Sequence, residues 1–245
     1  MSGDTSRPPP ASELASARDR VSDLGEHTWP EVAAARPMLV VPLGSCEQHG
    51  PHLPLDTDTR IAVAIARGLA ARRARTVVAP ALGYGASGEH AAFAGTLSIG
   101  SDGLELALVE LARSADHFAG VVFVNGHGGN NGAIERAVAR LRSEGRRALA
   151  WSPPPVGDAH AGRVETSLLL AIAPQLVRME RAERGCLEPL AAILPAMRSG
   201  GVVAVSPNGV LGDPTGASPA EGEAFLAAWV DDLAGAVVAA DASPA

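Results

Sequence analysis

Along the chain, short continuous apolar runs alternate with stretches in which apolar positions recur every three or four residues. The runs Pro37–Leu43, Thr76–Leu82, Gly120–Val124, Arg147–Trp151 and Gly201–Val205 have the length and unbroken apolar character of strands covered on both faces. Helical spacing marks Thr57–Arg73, Asp102–Phe118, Gly132–Glu144, Glu165–Ile172 and Ala220–Ala239. Strand alternating with helix predicts an α/β fold: a mainly parallel sheet with helices on both sides. Residues 1 to 11 read as a disordered tail and Ala240–Ala245 as another, which leaves a single domain over residues 12–240. No internal repeat is visible. In sheets of this kind ligands sit beyond the carboxyl ends of the strands, and the predicted strands run into turns rich in glycine, serine, asparagine and proline.

Composition narrows the function classes. Apolar residues make up 47% of the 245 and aromatics only 3%, so alanine, valine and leucine must fill the core. The net charge of -7 argues against a nucleic-acid partner, which requires clustered basic groups. There is no lysine, and the arginines gather in Arg67–Arg75 and Arg136–Arg147 at helical spacing, as on a solvated helix face. Cys46 and Cys186 stand far apart with no CxxC, which suggests neither a disulfide framework nor a zinc knuckle. The polar, proline-rich start has no apolar segment of the secretory kind, and no uninterrupted apolar run is long enough for a membrane. A cytoplasmic protein without nucleic-acid or membrane partners is the expectation.

Three segments concentrate the chemistry. In GSCEQHGPHLPLDTD, Glu47 and His49 stand two apart, a spacing that puts both side chains on one face of an extended segment. Asp58 follows at the start of a predicted helix, where a carboxylate is favoured. NGHGGNN carries His127 among glycines that permit close backbone approach, and the helix after it directs free N–H groups at the same place. DAHAGRVETS adds His160 and Glu165. Taken singly, Glu47 would serve as a helix cap, and His49 or His127 as an ordinary buried histidine. Together, three loops that each follow a predicted strand hold most of the histidines of the chain. Carboxylate with imidazole is a donor set suited to zinc, manganese or iron(II) rather than calcium.

These segments, with GASGEHAAFAGTLSI, resemble the creatininase family in order and spacing over roughly Pro37 to Ser167. The resemblance implies an α/β/α sandwich, a hydrolytic site with two divalent ions (iron(II), zinc or manganese), and a homo-oligomer, often a hexamer. It assigns Glu47 and His127 to one ion, His49 to the other and Asp58 to both, with His160 in proton transfer. The creatininases themselves carry a glutamate ligand where this chain has Gly129, a tyrosine at Gly128, and an aromatic near Val156. A second branch of the family shares NGHGGN, and there Glu165 is the candidate for the missing carboxylate, as ligand or as acid/base. Creatinine is therefore not the expected substrate. The branch instead implies a peptidase that releases a C-terminal cyclised Val–Tyr-derived unit from a radical-modified ribosomal peptide. A formamide or cyclic-amide hydrolase acting on a small nucleotide-derived molecule is the alternative, and a non-catalytic scaffold the further one.

In the peptidase reading, Glu89 and His90 line the substrate pocket, with a structural role for the pair as the alternative, and Gly128, Gly129 and Asn130 stabilise the oxyanion through backbone N–H groups. His52 and Asp56 are expected to fix the loop rather than bind an ion.

Overall fold

In the computed structural model, which describes residues 22–242, the apolar runs build one sheet and the periodic stretches cover it. The strands are β1 (Ser22–Asp23), β2 (Met38–Leu43), β3 (Thr76–Val78), β4 (Gly120–Asn125) and β5 (Ala148–Trp151). The helices are α1 (Trp29–Ala35), α2 (Thr57–Arg72), α3 (Gly100–Arg113), α4 (Asn131–Ser143), α5 (Arg163–Ile172), α6 (Leu190–Gly200) and α7 (Pro219–Ala242). Strand order is β1-β3-β2-β4-β5 and every pairing is parallel, with β2 and β4 aligned from Met38 opposite Gly120 to Leu43 opposite Asn125.

The alternation of side chains along β2 generates the layers. Met38 and Val40 point into a core shared with Ile61, Ile65 and Leu69 of α2, Leu168 and Leu169 of α5, and Trp229 and Leu233 of α7. Leu39, Val41 and Leu43 point the other way, into a core with Leu104 and Leu108 of α3 and Ile134, Ala137 and Leu141 of α4. Full burial of a leucine contributes about 1.5–3 kcal/mol, so the two cores together hold the sheet between helices on either side. The expected α/β/α sandwich is present.

The expectations fail where local pattern and tertiary partner disagree. Gly201–Val205 is not a strand: Val202–Ala204 forms a 3₁₀ turn, and Val202 packs in a side cluster with Ile193 and Leu211, away from the sheet. β3 is shorter than expected because Pro80, lacking an N–H, follows it closely; Leu82 rejoins the sheet through a bridge to Leu43. α3 stops at Arg113 rather than Phe118. Two helices escaped the periodicity reading. α1 is a single short element started by a Glu31 carboxylate that accepts from the Thr28 N–H, and α6 contains Pro195, which disguises it as loop. At the far end α7 continues to Ala242, its last turn held where Asp241 pairs with Arg73 and Arg147. The expected tail over residues 1 to 11 and the last residues of the other lie outside the described residues. The arginine-rich stretches are solvated and ion-paired, Arg67 with Asp23, Arg136 with Glu105 and Arg146 with Asp116. Among the described residues no helix is long and apolar enough to cross a membrane.

Candidate metal centre

The chain passes from β2 to β3 on one side and then returns across β2 to β4, so the loops after β2 and β4 diverge at a topological switch point. The loop after β2 carries Glu47 and His49 and the loop after β4 carries His127. Asp58 comes from the first turn of α2, and Glu165 from the first turn of α5. Glu47 and His49 are wholly buried, and Asp58 and His127 nearly so.

The Asp58 carboxylate lies between the two histidines. Its Oδ1 is 2.9 Å from His49 Nε2 and its Oδ2 is 3.2 Å from His127 Nδ1, while Ser45 Oγ donates to Oδ2 at 2.8 Å. Glu47 Oε2 is 3.2 Å from His127 Nε2, and Glu165 Oε2 is 3.8 Å from His49 Nε2. His49 Nδ1 donates to the Glu47 carbonyl at 3.1 Å, which leaves Nε2 as the nitrogen facing the centre. Glu47, His49 and Asp58 bring donor atoms within 4.8 Å of one another, and so do the sets His49, His160, Glu165 and Glu47, His90, His160. His127 is in none of these sets; it turns Nε2 toward Glu47 and the Ala86 carbonyl and Nδ1 toward Asp58.

Both carboxylate oxygens of Glu47 are buried without a hydrogen bond. Leaving a buried polar atom unsatisfied costs about 1–3 kcal/mol, more when it is charged, so this side chain is shaped for a partner other than the protein. Burial pushes the Glu47 carboxyl up to about 7 against the opposing charge of His127. Burial likewise raises Glu165 to about 7 despite His49. For His49, burial works downward, yet the charge and hydrogen bond of Asp58 prevail and hold it at about 10. His127 behaves alike: burial lowers it, and Glu47 and Asp58 bring it up to about 9. Asp58 is resisted by burial but held well below the carboxylate range by His49 and His127. The imidazoles of His90 and His160 stay neutral, driven down by burial and by charged neighbours, His127 for the first and His49 for the second. Protons on His49 and His127 thus occupy the positive role in a ring of carboxylates, and divalent ions would displace them.

Surrounding residues complete the cradle. His52 Nε2 bonds Thr166 Oγ1 at 2.9 Å, tying the Glu47–His49 loop to the helix that carries Glu165. Asp56 pairs with Arg60 one turn along α2. Glu89 Oε1 is 3.7 Å from His127 Nε2, and His90 Nε2 is 3.4 Å from Glu47 Oε1. Position 129 accepts only glycine: a Cβ there would stand 2.4 Å from His127 Nε2 and from the Ala86 carbonyl, and 2.6 Å from Glu89 Oε1. Gly128, by contrast, faces open space. Asn130, expected at the substrate through its backbone N–H, has a side chain that is fully buried and committed to the scaffold. Its Nδ2 donates to the Gly44 carbonyl and to Asn125 Oδ1, and its Oδ1 accepts from the Ala86 N–H, which locks the loops after β2, β3 and β4 together. Two residues escaped the sequence reading, Ser45 on Asp58 and Gln48 between His90 and His160. Their sole signal was a polar side chain inside the densest motif.

The family model described as creatinine amidohydrolase matches residues 25–237. The chain belongs to the creatininase family. The creatininase family is one of metal-dependent amidohydrolases, so this chain is a hydrolase acting on carbon–nitrogen bonds. It is 55% identical over 224 residues to the mycofactocin precursor peptide peptidase of Mycobacterium tuberculosis (strain CDC 1551 / Oshkosh), covering 86% of this chain and 89% of the relative. The protein of the same name from Mycolicibacterium smegmatis (strain ATCC 700084 / mc(2)155) is 54% identical over 222 residues, covering 87% and 89%. Among solved creatininases, a manganese form has 27% identity and a TM-score of 0.74 over 89% of this chain and 98% of its own. A mutant of Zn-Zn type also has 27% identity, with a TM-score of 0.72 over 87% and 96%.

Proposed function

We propose that this creatininase-family chain is a two-metal peptidase that cleaves a radical-modified ribosomal precursor peptide near its C terminus. The mycobacterial relatives are named precursor peptide peptidases, and the branch of the family that this chain resembles implies release of a cyclised Val–Tyr-derived unit. The observation that carries the metal reading is the Glu47 carboxylate, buried without a hydrogen bond amid imidazoles and carboxylates from four separate parts of the chain. Glu47 and His127 would hold one ion, His49 and Glu165 the other, and Asp58, whose two oxygens already face the two histidines, both. The donor set fits zinc, iron(II) or manganese; zinc and manganese accompany the solved relatives. When bound, the ions supply a water of lowered pKa and polarise the scissile carbonyl.

The remaining chemistry falls to the chain itself. His160 donates its Nε2–H to the Gln48 carbonyl at 2.8 Å, so Nδ1, 3.7 Å from Glu47 Oε1, is the free nitrogen facing the centre. It takes up a proton from the nucleophile and passes it to the leaving nitrogen. Glu165 is held by the Ala161 N–H, which donates at 2.6 Å to Oε2, the same oxygen that lies 3.8 Å from His49 Nε2. Glu89 and His90 line the mouth, and the backbone N–H groups of Gly128 and Gly129 face the developing oxyanion, that of Asn130 being taken by the His127 carbonyl at 3.1 Å. Room for a peptide is supported by the open space over Gly128 and by the exposed Tyr84, Leu97 and Ile99 on the neighbouring loops. The same reading extends to a homo-oligomer, a hexamer in the manner of the family, working in the cytoplasm.

The test is direct. Incubation of the purified protein with the radical-modified precursor peptide, with zinc and, anaerobically, with iron(II), should release the C-terminal unit by mass spectrometry. An intact peptide with every metal would overturn the peptidase reading, and cleavage of small formamides in its place would establish the alternative.

A further inference from the structure

Gln48 lies between two proposed ligands in sequence and turns its side chain the opposite way. The side chain is buried, and the orientation of its amide is fixed by neighbours that permit one arrangement only. Oε1 accepts from the Gly50 N–H at 2.9 Å, and Nε2 donates to the Gly209 carbonyl at 3.0 Å. The second Nε2 hydrogen meets His90 Nδ1 at 2.9 Å. His160 Nε2 lies 3.1 Å from the same amide nitrogen but only 2.8 Å from the backbone carbonyl of Gln48. A carbonyl at that distance requires a hydrogen on His160 Nε2, so this nitrogen is a donor and does not compete for the amide. The loop opposite is moulded to the side chain: Gly209 has φ +80°, and a Cβ on it would stand 1.9 Å from Gln48 Oε1.

We propose that Gln48 is a positioning residue that sets the tautomers of the two imidazoles flanking the centre. Its side-chain N–H makes His90 present Nε2–H, and its backbone carbonyl makes His160 present a bare Nδ1. The catalytic consequence rests on the metallohydrolase reading; the tautomers do not. His90 Nε2, 3.4 Å from Glu47 Oε1, then carries a hydrogen and presents a donor to the centre, available to a substrate oxygen. The set Glu47, His90, His160 has the spacing of an ion site, but His90 has no lone pair to give it. His160 is left as the one of this pair able to accept a proton or a cation. Two chemically identical side chains are thereby given opposite roles by a single residue.

The test reads tautomers, not turnover. Protein labelled with ¹⁵N at histidine is measured by ¹⁵N NMR at pH 8, metal-free and zinc-loaded, with His90→Asn and His160→Asn for assignment. Both imidazoles should be Nε2–H in the native chain. Gln48→Glu replaces the donor by an acceptor and should reverse His90 to Nδ1–H. Gln48→Met, and independently Gly209→Ala, which displaces the amide, should leave His90 with a mixture. In Gln48→Glu and Gln48→Met His160 should remain Nε2–H, since its partner is backbone. Zinc-loaded Gln48→Met should keep its metal while kcat falls about 10- to 100-fold, the scale on which groups that orient a metal site act. His90 found as Nδ1–H in the native chain, or unchanged in all three variants, would overturn the proposal. Expected tautomers in a protein that retains no metal would sink the metallohydrolase reading and leave this one standing.

Discussion

The two hydrophobic layers and the polar centre between their upper edges are equally buried and built on opposite principles. In the layers aliphatic side chains from the strands meet aliphatic side chains from the helices. Leu69, Leu168 and Leu233 are fully buried among aliphatic side chains. At the carboxyl end of the sheet, Glu47, Asp58 and Glu165 crowd together with four histidines, and the Glu47 oxygens have no hydrogen bond. The difference teaches where the stability of the fold resides and where it is given up. The layers hold the protein together, and the centre keeps an unfavourable arrangement that bound cations would relieve.

The sharpest way to break this contrast is Asp58→Ala. It removes the carboxylate that faces both histidines and should lower hydrolysis on the order of a thousandfold. Metal content, measured by elemental analysis, should fall with it, while circular dichroism stays native. Full metal and full activity in this variant would leave the centre without its organising residue. Leu69→Ala attacks the other region: a cavity there should cost about 2–5 kcal/mol in urea unfolding, with activity per folded molecule retained.

Glu47→Gln separates the two principles within one side chain. Burial raises the folded pKa of Glu47 to about 7, above its unfolded value, so its contribution to stability is fully present below the unfolded pKa and is lost as pH rises toward 7. Chelated Glu47→Gln should therefore be more stable than the chelated native chain at pH 8, by about 1–3 kcal/mol. The advantage should vanish at low pH, and metal binding should be lost at every pH. Equal denaturant midpoints at pH 8 would show the buried carboxylate to be satisfied. A smaller effect is expected of His52→Gln, which loosens the tie to Thr166: metal affinity should fall about 10- to 100-fold. His52 is held near 4 by burial and by the charge of His49. The native chain should accordingly lose stability relative to this variant as pH falls below the ordinary histidine range.

Much of this was legible from residue order. The strand and helix periods of β2, α2, β4 and α4 are strong because each element is buried along a full face. The weak elements fail for the same reason: α1 has no buried residue, α6 holds a proline, and Val202–Ala204 is apolar because it packs on α6 and Leu211 rather than on a strand. Of the site, the residues within GSCEQHGPHLPLDTD, NGHGGNN and DAHAGRVETS could be named, since charged and imidazole side chains beside glycine are conspicuous after an apolar run. What could not be named was which of them face one another. Asn130 turning inward to lock three loops, and Gln48 reaching past its neighbours to His90 and Gly209, depend on contacts across more than forty residues of chain.

Residue order by itself therefore determined the layers, the end of the sheet where chemistry gathers, and the kinds of atoms gathered there, because period and composition are local properties. Tertiary structure alone decided the pairings: Asp58 spanning two histidines, Gly129 hemmed in by Glu89 and His127, and Gln48 holding the imidazoles of His90 and His160. A hydrogen bond is set by distance and direction in space, and those exist only once loops from four strands have closed on one point.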